Sequence, residues 1–325
     1  MQAKKILSLM LREAGIGVAL IVLILLFSVV APRFASLENI NNIFTQISIN
    51  TVISVGMTFV ILLGGIDLSV GSVLALCTVI AGLVMTAESL TPLVAIVLAT
   101  AASIAVGAST GFINGWVSER WKIHSFIVTL GMLNVARGLA LTVSNSRTIF
   151  SFPEIFNRMS TQTLLGFPLI FVIAVVVVLL GHFVLKRTVF GRFIYAIGNN
   201  EEAVRLSGHN PSIFKIAAFT LCGVAVGLAA IMYMIRLNIS SPILGVGFEL
   251  NAIAAVVIGG TSMSGGKGSM FGTFLGACII GVLNNGLLLV GFGDFARQMV
   301  TGVIIVLAVI IDTYRAKISI KFASA

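Results

Sequence analysis

Apolar runs of about 20 residues follow one another along almost the whole chain, with short polar segments between them. A helix of that length crosses the hydrocarbon core of a bilayer, where every backbone N–H and C=O must be satisfied inside the protein. Only 10% of the residues are charged, whereas soluble domains carry about 25%. The sequence therefore predicts an all-α polytopic membrane protein.

The apolar runs predict about ten transmembrane helices. Two of them, the third and the eighth, adjoin glycine-rich breaks, which makes their limits hard to place. No long linker or low-complexity tail interrupts the chain, so residues 1–325 are expected to form a single transmembrane domain. The predicted spans lie near 14–31, 43–63, 68–86, 92–117, 125–143, 164–185, 213–235, 249–263, 269–290 and 295–313.

The distribution of lysine and arginine predicts the orientation of the chain. Most of these residues fall on the side that includes the N-terminus, and the positive-inside rule makes that side cytoplasmic. An even number of spans then places both termini in the cytoplasm. The net charge of +9 comes from the ends of apolar spans, so it does not indicate nucleic-acid binding. The predicted inner residues are Lys4, Lys5, Arg12, Arg120, Lys122, Lys186, Arg187, Arg192, Arg205, Lys215, Lys267, Arg315, Lys317 and Lys321.

The longest segment that cannot lie in hydrocarbon is residues 186–212, here called the coupling segment. We predict a short amphipathic helix between Gly198 and Gly208, on the cytoplasmic side. A membrane protein with one such loop is expected to dock a partner there. The apolar positions that alternate with charge at helical spacing are Ala196, Ala203 and Leu206.

Two predicted spans share a glycine pattern, in which small residues recur at every fourth position and allow helices to approach closely. In the predicted topology these two spans, the fourth and the ninth, run in opposite directions. An inverted repeat predicts such a pair and places the substrate path at the interface of the repeats. Tight packing without duplication is the other interpretation. The glycines are Gly107, Gly111 and Gly115 in the fourth span, and Gly268, Gly272 and Gly276 in the ninth.

A glycine-rich break with one acid, Asp67, separates the second and third spans. An ionisable residue at a membrane span is a functional candidate. Asp67 could also cap a helix starting at Leu68, since the first amides of a helix need acceptors. These two roles can coexist.

A second glycine-rich stretch, Gly259–Ser269, lacks the spacing of a phosphate-binding loop, because Thr261 and Gly268 occupy positions that require Gly and Ser or Thr.

Polar residues inside the predicted spans are mostly uncharged amides and hydroxyls. Such groups suit the passage of a neutral, hydroxyl-rich solute, and hydrogen bonding between helices is the alternative role for each of them. No cluster predicts a catalytic centre or a metal site. The candidate substrate-path residues are Asp67, Ser69, Asn114, Asn134, Asn251, Asn284 and Asn285.

Several motifs in order carry a family resemblance: Gly65–Ser72, Gly191–Asn200, Arg205–Gly208, Ala252–Ser262, Gly265–Gly268 and Leu283–Gly286. Over roughly 34–312, the chain resembles the membrane permease subunits of bacterial ABC importers for ribose and related monosaccharides. The resemblance implies a multi-pass protein of the bacterial inner membrane, surrounded by lipid. It also implies a non-enzymatic subunit without a cofactor of its own, because ATP and Mg²⁺ would bind to the partner.

The resemblance implies three protein partners. These are a tandem ATP-binding subunit beneath the membrane, a periplasmic sugar-binding protein above it, and a second permease, either an identical copy or a sister chain. The coupling segment would lie on the ATP-binding subunit. The residues implied in that contact are Gly191, Arg192, Tyr195, Ala196, Gly198, Asn200, Glu201, Glu202, Ala203, Arg205, Leu206 and Gly208.

Other classes of membrane protein remain open at this point. A branched-chain amino-acid permease of the same superfamily would share much of the pattern. A proton-coupled secondary transporter would need intramembrane acids or histidines, which are sparse here, and a membrane enzyme would need clustered catalytic or metal-binding side chains. The resemblance does not identify the sugar.

Overall fold

The computed structural model describes the backbone of residues 2–323 and the side chains of residues 13–307, 309 and 310. The predicted cytoplasmic location of the two chain ends stays a prediction, and the end residues Met1, Ser324 and Ala325 lie outside the described part. Within the described part the chain is almost entirely helical, which confirms the predicted all-α class. The short strands β1 and β2 form one antiparallel hairpin.

The elements follow the predicted apolar runs closely. They are α1 (Gln2–Val30), α2 (Leu37–Leu62), α3 (Val70–Met85), α4 (Pro92–Trp121), α5 (Ser125–Val143), α6 (Glu154–Asn157), a 3₁₀ turn (Arg158–Thr161), β1 (Thr163–Leu164), β2 (Phe167–Pro168), α7 (Leu169–Arg187), α8 (Val189–Asn199), α9 (Glu201–Leu206), α10 (Pro211–Leu237), α11 (Phe248–Ile258), α12 (Met270–Leu289) and α13 (Asp294–Ala323).

Seven of the described helices are long and apolar enough to cross a membrane, namely α1, α2, α4, α5, α7, α10 and α12. The helices α3 and α11 are apolar but have only 16 and 11 residues. Both are shorter than the predicted spans 68–86 and 249–263, because the glycine-rich break before α3 delays its start to Val70 and the glycine-rich stretch after α11 ends it at Ile258. Together with α13 they occupy the positions of the ten predicted spans.

The packing relates α2–α5 to α10–α13. In the first set, α3 packs against α4 and α5, and α4 packs against α10. In the second set, α11 packs against α12 and α13, and α12 packs against α2. The helices α4 and α12 hold corresponding positions in the two sets, and so do α2 and α10. Accordingly, α4 contacts α10 of the other set, and α12 contacts α2 of the other set. This exchange favours the inverted repeat over simple tight packing.

The glycines of α4 pack on α10, and this corrects the expected pairing of the fourth and ninth spans. A Cβ atom at Gly107 or Gly111 would clash with the backbone of α10, at Gly223 and Phe219. Within α12, Gly272 and Gly276 instead lie against the backbone at the end of α11, at Gly259 and Ala255, whereas Gly281 faces Ile47 of α2. The helices α4 and α12 share the glycine pattern because they hold corresponding positions in the two halves, and each packs its glycines against a different neighbouring helix.

Short elements lie at both ends of the bundle. The short helix α6 lies between α5 and α7, and the β1–β2 hairpin follows it before α7 begins. The coupling segment at the other end contains two helices, α8 and α9. The short helix predicted between Gly198 and Gly208 is present as α9, whereas α8 was not predicted.

Candidate functional site

A buried polar cluster forms where the chain enters α3. The Oδ1 atom of Asp67 accepts hydrogen bonds from the amide of Ser69 at 2.9 Å and from its hydroxyl at 2.6 Å. The Nδ2 atom of Asn114, on α4, donates to Ser69 Oγ at 3.0 Å. Asp67 is 2% exposed, and Ser69 and Asn114 are each 1% exposed. Three of the predicted path residues are thus brought together.

The structure modifies the capping role expected for Asp67. The helix begins at Val70 rather than Leu68, and its N-cap is Ser69. Asp67 accepts the amide of Ser69, two residues ahead, which is an Asx turn that orders the approach to the helix. The rest of the break is held by α5, since Ser125 Oγ and Thr129 Oγ1 accept the amides of Ile66 and Leu68.

The polar cluster borders a narrow cleft between α3, α4 and α10. Two observations define it: the cleft leaves no room for a water molecule, and Asn114 Oδ1 is buried without a hydrogen-bond partner among the described residues. A solute can therefore reach this cluster only after the helices separate. The residues that line the cleft are Asp67, Ser69, Val70, Val73, Thr110, Gly111, Gly223 and Val226.

The two short helices meet at their N-terminal ends. A Cβ atom at Gly71, in the first turn of α3, would clash with the carbonyl of Gly245 and with the carboxylate of Glu249, in the first turn of α11. Glu249 Oε1 accepts the amide of Gly247 at 3.2 Å, and Arg137 Nη1 donates to the carbonyl of Leu244 at 2.9 Å. Interrupted helices that point their N-termini at a common region form many transporter substrate sites.

The remaining predicted path residues do not join this cluster. Asn285 exchanges two hydrogen bonds of 2.9 Å with Asn39, which fixes α12 to α2. Asn134 lies exposed on α5, where its Nδ2 donates to the carbonyl of Leu130. Asn251 and Asn284 are half-buried. The hydrogen bonds of Asn285 fit the alternative interpretation, in which an amide joins two helices.

The coupling segment has an ordered frame of its own. Thr188 Oγ1 accepts the amide of Gly191 and begins α8, whereas Asn200 Oδ1 accepts the amide of Ala203 and begins α9. Asn200 itself has φ −160° and ψ 98°. One extended residue therefore turns the chain between the two helices.

The exposed face of α9 corrects the expected amphipathic pattern. Leu206 is 81% exposed, and Ala203 is exposed as well, whereas Val204 is 7% exposed and packs inward. Ala196 of α8 also faces outward. The small and apolar positions that alternate with charge thus form an outer surface, which is what a docked partner would cover.

The end of α8 is fastened to both glycine-rich breaks. Tyr195 Oη donates to the carbonyl of Gly268 at 2.8 Å, and Asn199 Nδ2 donates to the carbonyl of Gly266 at 3.2 Å. The amide of Gly266 donates to the carbonyl of Leu62, the last residue of α2, at 2.9 Å. Gly198 lies between them, where a Cβ atom would clash with Leu62. These six residues are here called the glycine junction.

Tyr195 is held as a hydrogen-bond donor in this junction. Burial of the phenol, with a smaller effect from the nearby carboxylate of Glu13, raises the pKa of Tyr195 to about 12. The hydroxyl is therefore protonated at neutral pH. Its bond to Gly268 persists over the physiological range.

A chain of charges fastens α9 to the end of α4. Lys215, on α10, pairs with Glu201 at 2.6 Å and with Glu119 at 3.0 Å, and Ser212 Oγ donates to Glu119 at 2.6 Å. Glu119 has a side chain only 9% exposed. The sequence interpretation missed this connection, because Glu119 and Lys215 lie 96 positions apart and in separate spans.

Comparison with known proteins gives matches over nearly the full length. The ribose import permease protein RbsC of Escherichia coli (strain K12) is 42% identical over 306 residues, which is 93% of this chain and 94% of that protein. The same-named protein of Bacillus subtilis (strain 168) is 39% identical over 305 residues, 93% of each chain. The D-allose transport system permease protein AlsC of Escherichia coli (strain K12) is 34% identical over 299 residues, 92% of this chain and 90% of that protein.

No solved structure gave a match to this chain. A family model described as the permease component of the branched-chain amino acid transport system matches residues 39–309. That range contains the break at Asp67 and the coupling segment, and it covers nearly all of α2–α5 and the larger part of α10–α13. The chain therefore belongs to this family of transport-system permease components, and it is a multi-pass membrane protein.

Proposed function

We propose that this chain is the transmembrane subunit of an ATP-driven ABC importer that moves a monosaccharide into the cytoplasm. The substrate would be a ribose-like pentose, a hexose or a furanosyl compound. The observation that carries the proposal is the near full-length similarity to permeases named for ribose and D-allose, at 34–42% identity. The residues 1–325 act as one permease domain, with 186–212 as its coupling segment.

The substrate path in this proposal runs by the Asp67 cluster and the meeting point of α3 and α11. Its polar groups are the carboxyl of Asp67, the hydroxyls of Ser69 and Thr110 and the adjacent amide of Asn114, set among valine side chains. These donate and accept hydrogen bonds without demanding a charged solute, which suits the hydroxyl groups of a sugar. Because the cleft is closed in this structure, import requires a movement that separates α3 and α4 from α10.

The tandem ATP-binding subunit docks on the exposed face of α8 and α9. The support is physical: α9 presents Ala203 and Leu206 outward, and the same segment holds the glycine junction and the Glu119–Lys215–Glu201 charge chain. A push on this segment therefore reaches α2, α4 and the loop before α12. A periplasmic sugar-binding protein and a second permease, identical or sister, complete the proposed importer.

Amino-acid import is the second candidate, and the family description favours it, since that description names branched-chain amino acids. The curated relatives point to sugars. A fourth relative, the L-arabinose ABC transporter permease protein AraH of Azospirillum brasilense, is 34% identical over 306 residues, 94% of this chain and 89% of that protein. We therefore place sugar first.

Uptake by reconstituted importer tests the proposal. The chain is placed in proteoliposomes with a tandem ATP-binding subunit and a soluble sugar-binding protein. Labelled ribose, xylose, allose, arabinose, galactose and leucine are then offered in turn. We expect at least one sugar to be taken up, and only when ATP is present on the side of the membrane that carries the ATP-binding subunit. Uptake of leucine alone, or sugar uptake without the ATP-binding subunit, would overturn it.

A further inference from the structure

The hairpin before α7 has an unusual tip. Strand β1 pairs with β2 so that Leu164 lies opposite Phe167, and the two residues between them, Leu165 and Gly166, have φ values of 55° and 83°. A two-residue loop with both φ values positive is a type I′ turn, which favours Asn or Gly at its first position. Here that position holds leucine.

Leucine at this position is unfavourable in water for two reasons. A left-handed backbone conformation strains a residue that carries a Cβ atom, because that atom comes too close to the following carbonyl oxygen. The side chain of Leu165 is also 89% exposed, next to Leu164 at 50% and Phe167 at 42%. Asn or Gly at 165 would remove both penalties. An apolar environment around the tip removes the penalty of exposing these side chains to water, and their burial then stabilises the hairpin.

The position of the hairpin relative to α7 identifies that environment. Helix α7 has 19 residues, so it is about 28 Å long, close to the roughly 30 Å hydrocarbon thickness. Its cytoplasmic end carries Lys186 and Arg187. The hairpin adjoins its other end, since the amide of Leu169 donates to the carbonyl of Gln162 at 2.9 Å. The tip therefore stands at the level of the outer membrane boundary.

The surroundings of the hairpin are continuous with the lipid-facing surface. No Asp, Glu, Lys or Arg occurs between Arg158 and Lys186. Phe167 packs edge-on against Phe44 of α2, with ring centres 5.5 Å apart, and lies 5.7 Å from the ring of Phe171 on α7. The three phenylalanine rings therefore form one apolar group that joins the hairpin to α2 and α7.

We infer that the tip of the β1–β2 hairpin, Leu164–Phe167, inserts into the outer interface of the lipid bilayer and anchors the outer loop to the membrane surface. The occupant is lipid: the tip is uncharged, apolar and joined to the exposed apolar side of α7. This inference does not depend on the substrate or on the ATP-binding subunit.

Spin-label accessibility in liposomes tests this inference. The full chain carries Leu165→Cys, with Cys77, Cys222 and Cys278 replaced by alanine, and a nitroxide is attached at 165. Collision rates with oxygen, which concentrates in lipid, and with a water-soluble nickel chelate are compared. Glu154→Cys, on exposed α6, is the water-side control, and Leu179→Cys, 62% exposed on α7, is the lipid-side control.

We expect the oxygen-to-nickel ratio at 165 to be well above that at 154 and nearer to that at 179. A ratio equal to that at 154 would overturn the inference. Shielding from both reagents would also overturn it, because the tip would then lie against protein. If the Leu165→Cys chain fails to fold, the label is placed at Leu164, where the same two outcomes decide. Leu165→Asn, which fits the turn, should fold and should lower the ratio at a label on 164.

Discussion

At the scale of single residues, the most consequential contacts are hydrogen bonds that hold irregular backbone inside an apolar bundle. Asp67 is the clearest case, since it is buried and binds the backbone that leads into α3. Tyr195 is the counterpart at the coupling segment, where one hydroxyl reaches the loop before α12. Each contact can be removed with little change in side-chain volume, which makes its role testable.

Asp67→Asn should retain much of the folding and some transport, whereas Asp67→Leu should lose both. Asparagine keeps one oxygen that can accept the amide of Ser69, but leucine leaves that buried donor unsatisfied at a cost of about 1–3 kcal/mol. Thermal unfolding in detergent and sugar uptake in proteoliposomes give the two readings. If Asp67→Asn folds normally and transports nothing, the charge itself is required, and the role in ordering the backbone is not the main one.

Tyr195→Phe should lower the number of sugar molecules imported for each ATP hydrolysed. The variant keeps the ring and loses only the hydrogen bond to Gly268, so the ATP-binding subunit still docks while its movement reaches the α12 loop less fully. Uptake and ATP hydrolysis are measured on the same proteoliposomes. Tyr233→Phe, whose ring packs on Phe248, is the matched control. Equal falls in both activities would mean that docking, rather than transmission, had failed.

At the scale of elements, close helix contacts depend on glycines at particular faces. The helices α4 and α10 approach closely through Gly107, Gly111, Gly223 and Gly227. On α5, by contrast, a Cβ atom at Gly131 or Gly138 would meet nothing within 4 Å. Glycine content alone therefore does not show which face of a helix is packed.

Gly111→Ala should destabilise the protein and reduce uptake, since its Cβ atom would clash with the carbonyl of Phe219. Overpacking of this kind costs about 1–3 kcal/mol, against a gain of up to about 1 kcal/mol in helix propensity. Gly131→Ala adds the same methyl group to open space and should leave both properties unchanged or slightly improved. The midpoint of thermal unfolding compares the pair. Equal midpoints would show that α4 and α10 can separate without cost.

The helix α9 should contact the ATP-binding subunit through Leu206. We expect Leu206→Asp to weaken its binding at least tenfold, equivalent to about 1.4 kcal/mol, while the permease alone stays folded. Binding is measured by titration of the purified ATP-binding subunit onto permease in nanodiscs. Glu202→Lys is a second surface test, because Glu202 is exposed. Glu201 is unsuitable, since it pairs with Lys215 inside the chain. Unchanged binding in both variants would place the docking surface elsewhere.

The sequence predicted the helices well and their partners poorly, for a physical reason. The length and hydropathy of a transmembrane span are properties of one segment of the sequence. The runs near 43–63 and 92–117 could therefore be identified without knowledge of the rest of the chain. Packing depends on two segments at once, and the small-residue pattern of α10, Gly223 and Gly227, was not included in the prediction although the same rule applied. The break at Asp67 was recognised from its glycines, but its hydroxyl partners on α5 were visible only in three dimensions.

At the scale of the whole molecule, the two repeats are joined by small polar contacts as well as by glycine packing. Thr58 of α2 bonds Thr273 of α12 at 2.8 Å, and Asn39 and Asn285 exchange bonds near the other end of the same helices. Because α2 and α12 belong to different halves, these bonds fix one half to the other. The cleft lies between α3 and α4 of one half and α10 of the other, so opening it strains these bonds.

A double-mutant cycle at Asn39 and Asn285 should measure this link between the halves. Each single change to leucine leaves a buried amide without its partner, whereas the double change removes both amides together. We therefore expect the double variant to be more stable than the sum of the two single effects predicts. Amide pairs between membrane helices are worth about 0.6 kcal/mol on average and up to about 1.7, so a coupling energy in that range is expected from unfolding in detergent. Strict additivity would mean that the pair does not join the halves. A coupling energy accompanied by faster but less ATP-dependent uptake would show that the link also keeps the closed cleft from opening without the ATP-binding subunit.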